Sequence, residues 1–284
     1  MQAEALTGPI VEHGEGPVYS ARWAGPRFVD MMAGDILELE PGGAVSRSHV
    51  GSVAALIRPR RGGGHVILGE RGLLLADEDD LFTTPHPLPE VWADGSVRMN
   101  EGGCDPLGNL YAGSMAYNQR EGAAKLYRFN PAGEHQVVLD AVTVSNGLEW
   151  SPDDSLAYYN DTHTGEVAVF DWTPDSGLVN RRSFVRIEGD GGPDGLTVDA
   201  EGGVWVALFG GSAVRRYAPD GTLDEVVELP TSQVTAVTFA GADLDQLVIT
   251  TSKQGMGGNP EPMAGALFTA SPGVRGLPVR EYAG

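Results

Sequence analysis

The sequence predicts an all-β fold, namely a six-bladed β-propeller with a central metal-binding channel, formed as one domain by residues 1–284. Three observations support this prediction. Short apolar runs alternate with turns, and the 284 residues include 40 Gly and 19 Pro. Two motifs recur with a period of about 45 residues, which is the length of one four-stranded blade. A side chain that carries oxygen also occupies one equivalent position in four of the repeats.

The first recurring motif is an alternating strand that runs into a turn containing Pro, here called the strand–turn motif. It reads ILELEPGG at 36–43, LYRFNPAG at 126–133, VAVFDWTPDSG at 167–177, VRRYAPDG at 214–221 and ALFTASPG at 266–273. The gap between Pro41 and Pro131 is two periods, so a further copy is expected near 86, where LFTTPHP supplies Pro85 and Pro87. That copy brings the total to six.

The second motif is a turn followed by an aromatic or β-branched strand, here called the turn–strand motif. It begins at 105 (DPLGNLYAGS), 151 (SPDDSLAYYND), 199 (DAEGGVWVAL) and 240 (AGADLDQLVITT). Alternating apolar residues bounded by Gly, Pro and Asp are typical of short strands. Six repeats of about 45 residues account for nearly the whole chain. A sandwich or two smaller β domains would not explain a common period.

The composition limits the partners of the protein. There are 19 Lys and Arg against 39 Asp and Glu, a formal net charge of −20, which disfavours nucleic acid and anionic membranes. Cys104 is the single cysteine, and the first 16 residues lack a basic and apolar leader. No run of about 18 apolar residues is present. We therefore expect a cytoplasmic protein, a monomer or weak homo-oligomer, that acts on a small molecule.

Four oxygen-bearing side chains, here called the slot residues, occupy one equivalent position in their repeats: Glu15, Asn100, Asn146 and Asp194. The last three stand five residues before the motif starts at 105, 151 and 199, and Glu15 stands five residues before Ser20, the equivalent position of the first repeat. Equivalent positions on the innermost strands of a propeller surround one channel, so these side chains are expected to converge. Two carboxylates and two amides match one divalent cation, and oxygen ligands favour Ca²⁺, Mg²⁺ or Mn²⁺ over Zn²⁺. Two alternatives are ordinary Asn-Gly and Asp-Gly turns, or a polar channel filled by water.

Several stretches resemble one family: Glu15-Gly16-Pro17, Arg98-Met99-Asn100, Asn146-Gly147-Leu148 with Trp150-Ser151-Pro152-Asp153, and Pro193-Asp194-Gly195-Leu196. The sequence is similar to the senescence marker protein-30/gluconolactonase/luciferin-regenerating-enzyme family over nearly its full length. The resemblance implies a six-bladed propeller with one divalent cation bound by Glu15, Asn146 and Asp194. We expect this cation to be Ca²⁺, with Mg²⁺, Mn²⁺ and Zn²⁺ as the alternatives. It further implies that Arg98 and Asn100 hold substrate, with Asn100 near the cation or bound through water.

The sequence departs from this family pattern at two positions. Glu101 stands where the family usually has Asp, and Gly113-Ser114-Met115 leads to Tyr117-Asn118, where an acidic residue is common. We assign Glu101 and Asn118 to substrate binding, so these departures bear on substrate choice.

The function indicated is a divalent-metal-dependent hydrolase that opens a sugar lactone, with Asp194 as general base. The alternatives are another metal-dependent ester or phosphotriester hydrolase, or a non-catalytic cation-binding propeller. The chain contains neither a Gly-x-Ser-x-Gly elbow nor a His-Glu-x-x-His motif. Loops near 98–120 and 253–263 are expected to set specificity.

Overall fold

The computed structural model covers residues 1–284 and contains 24 strands in six four-stranded antiparallel sheets, which confirms the predicted six-bladed β-propeller. The first three blades are β2 (Gly14–Val18), β3 (Arg27–Asp30), β4 (Asp35–Leu39) and β5 (Val45–His49); β6 (Leu56–Pro59), β7 (His65–Leu68), β8 (Leu73–Ala76) and β9 (His86–Pro87); and β10 (Val97–Cys104), β11 (Leu110–Ala116), β12 (Ala124–Phe129) and β13 (His135–Val142). None of the helical segments has the length and apolar sequence that a membrane-spanning helix requires.

The other three blades complete the ring. They are β14 (Ser145–Trp150), β15 (Leu156–Asp161), β16 (Glu166–Thr173) and β17 (Gly177–Arg186); β18 (Gly192–Val198), β19 (Val204–Phe209), β20 (Ala213–Tyr217) and β21 (Leu223–Glu228); and β22 (Val234–Ala240), β23 (Gln246–Thr251), β24 (Phe268–Ala270) and β1 (Glu4–Ala5). The N-terminal β1 pairs with β24 and so supplies the outer strand of the last blade. The first strands contact one another in the cyclic order β2, β6, β10, β14, β18, β22 and back to β2.

The repeats in the sequence correspond to particular strands. The turn–strand motif leads into β11, β15, β19 and β23, the second strands of their blades, and the strand–turn motif covers the third strands β4, β12, β16, β20 and β24. The copy expected near 86 is wrong, because the third strand of the second blade, β8, ends at Ala76 and LFTTPHP leads into the fourth strand. A longer loop replaces the Pro turn there. It is held by hydrogen bonds from Arg60 to Asp77 Oδ1 at 2.8 Å and from Arg27 to the Asp79 carbonyl at 2.5 Å.

Each of the four predicted slot residues lies at an irregularity in the pairing of its first strand. The register shifts fall between Glu15 and Val18, between Met99 and Gly102, between Ser145 and Leu148, and between Pro193 and Leu196. A β-bulge of this kind re-aims the side chains of the bulged strand. The recurring bulge therefore turns the slot residues of four blades toward the propeller axis.

Glycine after the slot permits neighbouring first strands to approach closely. A Cβ atom on Gly147 would meet the Leu196 nitrogen at 2.4 Å, and one on Gly195 would meet the Ala236 Cβ at 2.5 Å.

We expect Gly147→Ala to lower the free energy of unfolding by about 1–3 kcal/mol through overpacking, measured by urea denaturation. Gly95→Ala is the matched control, since nothing lies within 4 Å of a Cβ there. Equal stability of the two variants would contradict the close approach.

Candidate functional site

A cavity of about 130 Å³ opens at one end of the channel. Five of the predicted site residues line it together: Glu15, Arg98, Asn100, Asn146 and Asp194. They come from four different blades, and each is at most 5% exposed. The prediction that these residues meet at one point agrees with the structure, although their separate roles remain predictions.

The two carboxylates of the cavity are electrostatically unfavourable to each other. Burial raises the pKa of Glu15 well above its usual range, and the charge of Glu101 raises it further. Burial also raises the pKa of Asp194, with Glu15 and Glu101 adding to the shift and Arg98 opposing it. Neither carboxylate forms an ion pair with Arg98, and neither oxygen of the Asp194 carboxylate accepts a hydrogen bond from the protein. The charge of the pair is therefore left largely uncompensated by the chain.

Arg98 is held beside the amides. Its Nη1 donates to Asn100 Oδ1 at 2.6 Å and to the Met99 carbonyl at 2.9 Å, and it lies 3.0 Å from the Met31 sulfur. The Nε and Nη2 groups make no hydrogen bond within the protein. Because Arg98 lines the cavity, these donors are available to an oxygen-bearing ligand.

Sequence reasoning did not name three residues that contribute polar atoms to the cavity: His13, Thr162 and Gln119. Gln119 lies within the loop region expected near 98–120, whereas the other two lie outside both predicted loops. The His13 Nε2 lies 3.8 Å from Glu15 Oε1, and its Nδ1 lies 2.8 Å from the hydroxyl of Ser252. Burial, together with Arg98, lowers the pKa of His13 to about 3, so the ring is neutral at physiological pH. A signal was present, because His13 precedes Glu15 by two residues and alternate residues of a strand share a side.

The loop predicted near 253–263 reaches the cavity through Gln254. Its backbone N–H donates to the Ser252 hydroxyl at 2.9 Å, and Ser252 in turn contacts His13. The apolar part of the lining is formed by Met115, Val144 and Phe209. Side chains from the 253–263 loop and from the strands therefore enclose one small cavity with a mixed polar and apolar lining.

The structure does not bring Glu101 and Asn118 into this cavity. Asn118 lies in an exposed turn, where its Oδ1 accepts a hydrogen bond from the Arg120 backbone at 3.2 Å, and the next residue, Gln119, lines the cavity instead. Glu101 lines a separate cavity of about 40 Å³ with Arg58, Glu149 and Arg280. Residues nearer the C-terminal ends of the first strands surround that cavity, so it lies at the opposite end of the channel.

Glu101 is the next residue after Asn100 but has a different environment. It is buried, and its Oε2 has no hydrogen-bond partner. Burial raises the pKa of Glu101 to about 7, with the positive charge of Arg58 opposing the shift. Its carboxyl group affects Glu15 and Asp194 through its charge, so it belongs to the electrostatics of the site without lining it.

The donor set fits a hard divalent cation. The charge of two buried carboxylates is only partly offset by Arg98, which forms no ion pair with either, and an amide oxygen, Asn146 Oδ1, lines the same cavity. No group of three or more His, Cys, Asp or Glu side chains is arranged to hold a metal ion by itself. A cation here would therefore need the amide oxygen in addition to Glu15 and Asp194, as oxygen-rich Ca²⁺ sites do.

The fold and the cavity define a propeller of the class that carries its polar ligand site on the central axis. A family model described as the SMP-30/gluconolactonase/LRE-like region matches residues 13–253, which include all four slot residues. The chain belongs to this family, and the resemblance seen in the sequence is confirmed.

Curated relatives and a solved structure agree with this assignment. The chain is 32% identical to regucalcin of Danio rerio, with 96% of this chain and 95% of the relative covered. It is also 32% identical to 6-deoxy-6-sulfogluconolactonase of Pseudomonas putida, with 95% of each covered. The crystal structure of a calcium-binding protein, regucalcin, from Agrobacterium tumefaciens has a TM-score of 0.90, 25% identity, and coverage of 99% of this chain and 97% of that chain.

Proposed function

We propose that this protein is a divalent-cation-dependent lactonase that opens a sugar lactone. The single observation that carries the proposal is the pair of buried carboxylates, Glu15 and Asp194, beside Asn146 and Arg98 in one cavity. Membership of a family with a named sugar lactonase supports the reaction class. The solved regucalcin of Agrobacterium tumefaciens is named a calcium-binding protein, which supports Ca²⁺ as the first ion to test.

In this proposal Glu15, Asn146 and Asp194 hold the cation. When bound, the cation supplies positive charge that polarises a carbonyl oxygen and favours deprotonation of water. Asp194 is the proposed general base, because its carboxylate oxygens accept no hydrogen bond from the protein and are free to accept a proton. Arg98 is proposed to orient substrate oxygens and to stabilise the alkoxide leaving group with the donors that it does not use within the protein.

The remaining lining residues bear on which lactone is accepted. Gln119 and Gln254 present amides from two separate loops, and Phe209 presents an aromatic ring. Amides next to an apolar surface suit a polyhydroxylated ring, which has both hydroxyl groups and C–H faces. We therefore propose that specificity resides in Gln119 and Gln254 rather than in Asn118, which lies in an exposed turn.

The test is a substrate panel with metal-stripped protein, to which Ca²⁺, Mg²⁺, Mn²⁺ and Zn²⁺ are returned in turn. We expect D-glucono-1,5-lactone or a related aldonolactone to be hydrolysed only after a cation is returned, measured by a pH-indicator assay. Paraoxon and p-nitrophenyl acetate serve as the phosphotriester and ester comparisons. Turnover of paraoxon alone would replace the lactonase proposal with a phosphotriesterase. Cation binding with no turnover on any of them would indicate a non-catalytic binding protein.

A further inference from the structure

A directional chain of hydrogen bonds links four side chains of the cavity. Arg98 Nη1 donates to Asn100 Oδ1 at 2.6 Å, and Asn100 Nδ2 donates to Asn146 Oδ1 at 3.0 Å. Asn146 Nδ2 then donates to Thr162 Oγ1 at 2.7 Å, and Thr162 Oγ1 donates to the Pro193 carbonyl at 2.8 Å. This series of hydrogen bonds crosses from the third blade to the fifth, and Thr162 is the last side chain in it.

The two ends of this chain fix its direction. A guanidinium group can only donate, and a carbonyl oxygen can only accept. Asn100 must therefore turn its oxygen to Arg98 and its nitrogen to Asn146, so that Asn146 presents its oxygen to Asn100 and its nitrogen to Thr162. If the amide of Asn146 were flipped, its NH₂ group would face the NH₂ group of Asn100, and these buried donors would lack acceptors. Only a hydroxyl at 162 can both accept from Asn146 and donate to Pro193.

We propose that Thr162 is a positioning residue, which fixes the side-chain amide of Asn146 so that its oxygen is presented to a divalent cation. The inference rests on the proposed function for the identity of that ligand. Asn146 Oδ1 accepts one hydrogen bond, from Asn100, and an amide oxygen has two lone pairs, so one remains free. Outer contacts that orient a metal ligand typically contribute 10–100-fold to affinity.

The placement of Thr162 explains why the repeat pattern does not reveal it. It begins the 3-10 turn Thr162–Thr164 after β15, outside the first strands that carry the slot residues. Its methyl group packs near Gly192, since a Cβ atom there would meet Thr162 Cγ2 at 2.8 Å. Thr162→Val therefore keeps the shape and removes the hydroxyl, whereas Thr162→Ser keeps the hydroxyl and removes the methyl.

The test compares these two variants by titration calorimetry with CaCl₂. We expect Thr162→Val to weaken Ca²⁺ binding about 10-fold or more and Thr162→Ser to stay within about threefold of the unaltered protein. Equal weakening in both, or wild-type affinity in Thr162→Val, overturns the proposal.

A second measurement does not depend on the cation. Side-chain amide signals of ¹⁵N-Asn-labelled, cation-free protein are compared, with the Asn146 pair assigned from Asn146→Asp. We expect faster hydrogen exchange of this amide in Thr162→Val and wild-type behaviour in Thr162→Ser. An unchanged Asn146 amide in Thr162→Val overturns the positioning role. A changed amide in a protein that binds no cation overturns the proposed function alone.

Discussion

Asp194→Asn is expected to lower kcat for lactone hydrolysis by about 10²–10⁴-fold, the usual contribution of a general base. The amide is nearly isosteric with the carboxylate but cannot accept the proton of the attacking water. Cation affinity will fall as well, so turnover is measured at saturating Ca²⁺ with occupancy checked by calorimetry. Full activity of this variant at full occupancy would remove Asp194 as the base.

The same substitution is expected to raise the Tm of the cation-free protein by a few degrees at pH 8. The pKa values of Glu15 and Asp194 are raised by burial and by neighbouring carboxyls. A carboxyl with a raised pKa in the folded state stabilises that state below its unfolded pKa and loses this contribution as pH rises through the folded value. Asp194→Asn removes one such group, so its advantage should grow with pH and vanish below about pH 4.

A matched control separates this effect from a general response to Asp→Asn. Asp190 lies four residues earlier and is exposed, and its side chain makes no hydrogen bond. We expect Asp190→Asn to leave kcat unchanged and to leave Tm unchanged both at pH 8 and below about pH 4. A Tm of cation-free Asp194→Asn below that of the unaltered protein at pH 8 would contradict the uncompensated carboxylate pair.

The sequence was sufficient to predict the fold because the blade is a local unit that repeats. Motifs such as LYRFNPAG and DAEGGVWVAL carry both strand alternation and turn residues, so their spacing shows the period directly. The second blade is where this reasoning failed, since the turn after β8 lacks the Pro-containing motif. Spacing alone placed the missing copy about ten residues too late in the chain.

The four slot residues could be predicted for the same reason, whereas the other residues that line the cavity could not. Glu15, Asn100, Asn146 and Asp194 share one position in four repeats, so rotation about the axis brings them together. Gln119, Thr162 and Gln254 lie on connections that differ from blade to blade, so no period relates them. Glu101 shows a further limit, because neighbours on a bulged strand face different ends of the channel and sequence proximity to Asn100 does not give its direction.

Ca²⁺ binding is expected to release protons at mildly acidic pH, and its affinity should rise with pH by up to about 10-fold per unit for each proton released. The reason is that Glu15 and Asp194 hold protons above the usual carboxyl range in the cation-free protein, whereas a cation requires the ionised oxygens. Calorimetry at pH 6 in two buffers of different ionisation enthalpy gives the number of protons. Glu15→Gln should reduce that number, and Asp190→Asn should not. The prediction is contradicted if the binding enthalpy does not depend on the buffer and the affinity does not change between about pH 5 and 7. That result would show that the carboxylates are already ionised and that the protein compensates their charge.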